Sequence, residues 1–206
     1  MPESVKPRIA VIGLGSMGFG MATSLKRAGF AVTGCDVSAD AVARFVADGG
    51  AGAKTPAEAA KGAGIIVSVV VNAAQTEAIL FGRDGVAETL PEDVVFVSSA
   101  TMDPDIARRL ARQLEATGRH YLDAPISGGA QRAAQGELTI LASGSPAAFA
   151  ASAGVFAPPP PSATNRAMAS PETSQPVTAK PARRSEVAMP NPIEPSPTTA
   201  MCGFVD

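Results

Sequence analysis

Two stretches of this 206-residue chain carry residue types whose spacing could do chemistry. The first is Gly13-Leu14-Gly15-Ser16-Met17-Gly18, which fits G-x-G-x-x-G and lies between an apolar run at 8–12 and a segment of helical periodicity. In that context Gly13 permits a tight turn, Gly15 lets a pyrophosphate approach bare backbone, and Gly18 lets helix and strand pack closely. The helix start then aims unpaired N–H groups, and the positive end of its dipole, at the anion. Asp36 stands eighteen residues after Gly18, at the end of the next apolar run. A carboxylate there accepts hydrogen bonds from ribose hydroxyls and repels a 2′-phosphate. Val37, Ser38 and Ala39 follow it, with no cation to welcome that phosphate, so NAD is expected rather than NADP. The alternative, an Asp that merely caps the next helix, is a task Ser38 is better placed to do.

The second stretch is Ser127-Gly128-Gly129, after a strand-like segment and Pro125 and before a short helical stretch through Ala134. A hydroxyl and two glycine N–H groups at a helix start make an anion cradle suited to a carboxylate. An ordinary N-cap and turn would be written with the same residues. His120, the single histidine, opens a strand and is expected to be structural or solvent-facing. Cys35 and Cys202 have neither metal-type spacing nor the makings of a disulfide framework, so no metal is expected.

These residues need a scaffold. Strand-like segments at 8–12, 31–35, 51–53, 65–71, 94–98, 119–123 and 138–142 are interleaved with helix-like segments at 15–28, 38–48, 55–62, 73–81 and 104–117. In the first helix Met17, Met21, Leu25 and Ala28 share one face, and in the second Val42, Phe45 and Val46 point inward. Helices alternating with near-continuously apolar strands imply an α/β domain with a mostly parallel sheet covered on both faces. Right-handed crossovers make it doubly wound, the Rossmann arrangement.

Composition divides the chain in two. Nineteen of the 20 glycines and all nine leucines precede residue 158, whereas 11 of the 18 prolines follow residue 157. Residues 1–157 are therefore expected to be the dinucleotide-binding domain. Residues 158–206 are poor in large apolar side chains and cannot offset an ordering entropy of roughly 1–2 kcal/mol per residue. They are expected to be disordered. The 17 Lys+Arg and 19 Asp+Glu nearly cancel, leaving −2, which argues against a nucleic-acid reader built on phosphate attraction. No apolar run approaches the ~20 residues of a membrane span. The first residues lack the apolar stretch of a signal peptide, so a cytoplasmic location is expected.

The residues also carry a family resemblance. Gly13-Leu14-Gly15-Ser16-Met17-Gly18-Phe19-Gly20-Met21-Ala22 resembles the cofactor signature of the β-hydroxyacid dehydrogenases, the 3-hydroxyisobutyrate dehydrogenase-like family. Asp123-Ala124-Pro125-Ile126-Ser127-Gly128-Gly129-Ala130, continuing through Ala134, Gly136, Leu138 and Thr139, resembles that family's substrate signature. The likeness runs from residue 8 to about 153. Within the family, Val71-Asn72-Ala73-Ala74-Gln75 and Leu141-Ala142-Ser143-Gly144-Ser145 look most like the L-threonate dehydrogenase branch. The resemblance implies NAD-dependent oxidation of a small hydroxy acid. It places Gly13, Leu14, Gly15, Ser16, Met17, Gly18 and Asp36 on the cofactor, and Ser127, Gly128 and Gly129 on the substrate. It also places Val71 and Asn72 in the loop beneath the nicotinamide, with Thr101 at the nicotinamide end. The family usually has Ser before that Thr, and this chain has Ala100. Residues 101–104 read equally as a helix entry, with Asp103 as N-cap and Pro104 at N1.

In this family a lysine accepts the hydroxyl proton, a role that partial burial suits it for by bringing its pKa toward neutrality. The family writes it G-x-x-x-K-x-x-x-N, well beyond the Ser-Gly-Gly motif. No such pattern occurs in these 206 residues, and Lys180, the one lysine after Lys61, lies between Pro176 and Pro181. The family's all-helical C-terminal domain, which closes the cleft and builds the dimer, is not matched either. No catalytic residue is therefore assigned, and the dimer interface is expected to be largely missing. The change to Pro/Ser/Thr/Arg-rich text resembles a GC-rich gene translated in a shifted frame. If so, another frame downstream of about codon 153 should encode the lysine helix. Two readings stand: a hydroxyacid dehydrogenase that is inactive as this chain is written, or a non-catalytic dinucleotide-binding module.

Overall fold

The computed structural model describes residues 6–153 and 155, together with the backbone of 199–203. Six strands run parallel: β1 (Ile9–Ile12), β2 (Val32–Cys35), β3 (Ala51–Ala53), β4 (Ile65–Ser68), β5 (Val95–Ser98) and β6 (His120–Asp123). They lie in the order β3-β2-β1-β4-β5-β6, so the chain reverses its direction of travel across the sheet between β1 and β4. Crevices at such reversals, beyond the carboxyl ends of the strands, are where ligands bind in sheets of this kind. Beyond β6 come β7 (Ile126–Ser127) and β8 (Thr139–Gly144), with β8 antiparallel to both β6 and β7.

Successive strand residues feed two separate cores, which is what makes the strands apolar throughout. Ile9, Val11, Ile65, Val67, Val95 and Val97 pack on one face with Met21, Leu25, Phe45 and Ala133. Ala10, Ile12, Ile66 and Phe96 pack on the other with Ile79, Leu80, Leu110 and Leu114. The first face is covered by α1 (Ser16–Arg27), α2 (Ala39–Ala47), α6 (Gly129–Gln135) and α7 (Pro146–Ser152). The second is covered by α3 (Pro56–Ala60), α4 (Ala73–Phe81) and α5 (Pro104–Glu115).

Helix starts follow local chemistry. Ser38, Thr55, Asn72, Asp103 and Ser145 each accept a hydrogen bond from a first-turn amide, and prolines occupy the first turns of α3, α5 and α7. Among the seven described helices, α1 and α6 alone lack a side-chain cap; glycines, Gly15 and Gly128, hold their N-cap positions.

The structure departs from the sequence expectations at several points. The strand expected over 65–71 ends at Ser68, because Val69–Val71 turn out of the sheet, and Val71 is 82% exposed. Val46 does not point inward: it is 47% exposed, and Phe45 alone of its trio is fully buried. Neither β7 nor α7 was expected. Of the tail expected to be disordered, residues 199–203 form β9 (Thr199–Gly203), antiparallel to β8. This run is free of proline and supplies backbone partners to what would otherwise be an unpaired sheet edge. The remainder of 158–206 lies outside the described residues.

Candidate functional site

The glycine loop is the best-built feature of the crevice at the β1–β4 reversal. Gly13 has φ +98°, and a Cβ there would stand 2.2 Å from the Val69 carbonyl oxygen. A Cβ on Gly18 would stand 1.8 Å from the Gly13 carbonyl oxygen. Both positions thus exclude a side chain for the sake of the fold. Gly15 differs: φ is −64°, and a Cβ would meet nothing within 4 Å. Nothing in the protein requires a glycine at 15, whereas a ligand lying against the backbone would.

Asp36 holds this loop. One carboxylate oxygen accepts from the Leu14 amide at 2.5 Å and the other from the Ser38 amide at 2.8 Å. The Gly13 amide donates to the Cys35 carbonyl, fastening the loop to β2 a second time. Ser38, not Asp36, caps α2. Burial, reinforced by Asp36 and Glu58, pushes the neighbouring Cys35 thiol up to about 11, which keeps it protonated and unreactive.

Across the crevice, Asn72 caps α4 by accepting from the Gln75 amide at 3.0 Å, while Gln75 accepts from the Val71 amide at 2.9 Å. This reciprocal pair fixes the turn that leaves β4. Asn72→Ala is expected to cost about 1 kcal/mol of stability, read from urea unfolding; no change would show that the cap is dispensable. Thr101 is exposed just beyond β5, and Asp103 with Pro104 at N1 opens α5.

Ser127 does not cap α6. It lies in β7, paired with Thr139, and is exposed. Gly128 and Gly129 follow with φ of +138° and +80°, two consecutive conformations that L side chains rarely adopt, which is why both are glycine. A Cβ on Gly20 would lie 2.7 Å from the Ala134 amide nitrogen, so α1 and α6 pack backbone to backbone. β7 leads into α6 as β1 leads into α1. β7 runs the same way as the parallel strands because it and β6 are both antiparallel to β8, so both uncapped helices start beyond carboxyl ends of strands of one direction. His120 is partly buried, 3.9 Å from Asp93 and at the opposite end of β6 from the crevice.

Sequence reasoning missed a buried polar row at the carboxyl ends of β4, β5 and β6. Ser68, Ser98 and Asp123 are register partners on β4, β5 and β6. Ser68 Oγ and Asp123 Oδ1 are buried with no hydrogen-bond partner in the protein, and the buried Tyr121 Oη lies near the buried Ser98 Oγ. Burial pushes the Asp123 carboxyl up to about 6 and the Tyr121 phenol up to about 12. Only strand register brings these residues together. Among the described residues no three His, Cys, Asp or Glu side chains are grouped to hold a metal, and no helix is long and apolar enough to cross a membrane.

Fold and site together define a dinucleotide-binding domain of the Rossmann type. The family described as the NAD binding domain of 6-phosphogluconate dehydrogenase matches residues 8–159, and the chain belongs to it. It is 46% identical over 149 residues to an L-threonate dehydrogenase of Cupriavidus necator, covering 72% of this chain and 50% of that protein. The chain thus spans about half the length of this curated relative. The crystal structure of a 3-hydroxyisobutyrate dehydrogenase from Salmonella typhimurium superposes with a TM-score of 0.68 at 41% identity, covering 71% of this chain and 51% of that one. An imine reductase variant from Myxococcus stipitatus, solved in complex with NAD+, gives 0.68 at 26% identity over 74% of this chain and 52% of that one.

Proposed function

We propose that this chain is the cofactor-binding half of a hydroxyacid dehydrogenase, that it prefers NAD to NADP, and that its substrate class is a small hydroxy acid such as L-threonate. The observation that carries this is the uncapped start of α1, with open space over Gly15. The amides of Ser16, Met17 and Gly18 would hold the pyrophosphate, with Leu14 buried beneath them. Asp36 retains acceptor capacity on both oxygens for ribose hydroxyls. Val37 and Val71, both exposed, flank the crevice from β2 and β4 and offer apolar surface to the nucleoside and nicotinamide ends. Asn72 would contribute through its backbone, its side-chain oxygen being engaged in the cap. Thr101 would meet the nicotinamide end, and Ser127, Gly128 and Gly129 the substrate carboxylate. When bound, NAD+ supplies the hydride acceptor.

These 206 residues contain no lysine in the family's G-x-x-x-K-x-x-x-N setting. General-base help is worth ~10²–10⁴-fold, so the chain by itself should bind the dinucleotide without appreciable turnover. Calorimetric titration with NAD+ and NADP+, followed by an assay with a panel of 3-hydroxy acids including L-threonate, tests both parts. The expected result is heat with NAD+, less with NADP+, and no oxidation. Robust threonate oxidation would overturn the inactive reading, and an absence of heat would overturn the site itself.

A further inference from the structure

The sequence around Asp36 offers no cation to the loop, but the fold brings one from α2. Arg44 Nη2 donates to the Leu14 carbonyl at 3.3 Å, and its guanidinium lies over the Phe19 ring, 4.4 Å from the centroid. Phe19 is itself held edge-on against the fully buried Phe45, with centroids 6.1 Å apart and planes at 83°. Leu14 is therefore gripped twice, at its amide by Asp36 and at its carbonyl by Arg44. The second grip matters because a trans peptide is planar. The Leu14 C=O and the Gly15 N–H belong to one peptide and point in opposite directions. A donor that fixes the carbonyl also fixes where the Gly15 N–H aims.

We propose that Arg44 is a positioning residue of the dinucleotide site, locking the Leu14–Gly15 peptide plane so that the Gly15 N–H faces the bound pyrophosphate. Its ligand side rests on the function proposed above; the lock itself does not. Stacking on Phe19 keeps the guanidinium in place in spite of its exposure, a geometry that lysine, a point charge on a flexible stem, reproduces only in part.

The test uses the full chain and two variants, Arg44→Ala and Arg44→Lys. Amide hydrogen exchange over residues 13–18 should quicken in Arg44→Ala while the β1 and β4 amides keep their protection. The Kd for NAD+ should rise about 5- to 20-fold in Arg44→Ala, with an equal factor for NADP+. Arg44→Lys should fall between the parent and Arg44→Ala, because its ammonium can reach the Leu14 carbonyl but cannot stack as the guanidinium does. Unchanged exchange together with unchanged affinity would overturn the proposal. A loss confined to NADP+ would also overturn it, in favour of direct contact with the 2′-phosphate. If the parent chain binds no dinucleotide, the functional reading fails, and the exchange comparison still decides whether Arg44 locks the loop.

Discussion

Gly15→Val is expected to abolish dinucleotide binding while leaving the fold intact. The backbone at 15 is extended, φ −64° and ψ −168°, which a β-branched residue tolerates, and the new side chain would enter space that no protein atom occupies within 4 Å of the Cβ. That space is where a pyrophosphate must lie to reach the amides of α1. The Kd for NAD+ should weaken at least ~100-fold, whereas replacing an N-cap glycine by an aliphatic residue costs about 1 kcal/mol or less of stability. Gly18→Ala provides the contrast. Its Cβ would overlap the Gly13 carbonyl oxygen, so the loop must move and the protein should lose on the order of 3 kcal/mol. Thermal unfolding and NAD+ titration of both variants separate the two roles. Wild-type affinity in Gly15→Val would mean that the ligand does not rest on this loop.

Asp123→Asn is expected to remove a pH dependence of stability. The Asp123 carboxyl is raised to about 6 by burial, above the ~3.9 of an unfolded chain. The folded state therefore binds the proton more tightly. The stabilising contribution is fully present below about pH 4 and is lost as pH rises through 6, where an ionised carboxylate must be kept buried. The amplitude should be about 1–3 kcal/mol. The neutral variant should match the parent in urea unfolding near pH 4.5 and exceed it near pH 8. Equal pH profiles for the two proteins would show that Asp123 is solvated when ionised.

What could be read in advance was whatever rests on neighbours in the chain. The alternation of apolar runs gave the strands, and Ser38 and Asp103 marked helix starts because a cap needs partners only two or three residues away. Ser145-Pro146 was an equally good start signal for α7, but seven Ala-rich residues carry too little periodicity to follow it up. The end of β4 was overread because Val69–Val71 are as apolar as the strand itself; their departure is set by Gly13 packing against Val69. The direction of β8 and its pairing with residues 199–203 depend on which edge remains open, a property of the assembled sheet. Within the site, the glycines and Asp36 were legible as a motif. Arg44 and the Ser68–Ser98–Asp123 row were not, since each arises from contacts between segments at least 25 residues apart.

The bond between Asp36 and the Leu14 amide carries a lesson for redesign. Exchanging an acidic residue at this place for a small or neutral one is the obvious route to a chain that accepts phosphorylated dinucleotides. Here the same carboxylate also moors the loop, so removing it would slacken the anchorage of every cofactor while lifting the repulsion of one. Any retuning of preference must begin by supplying a substitute acceptor for that amide, and only then relieve the charge.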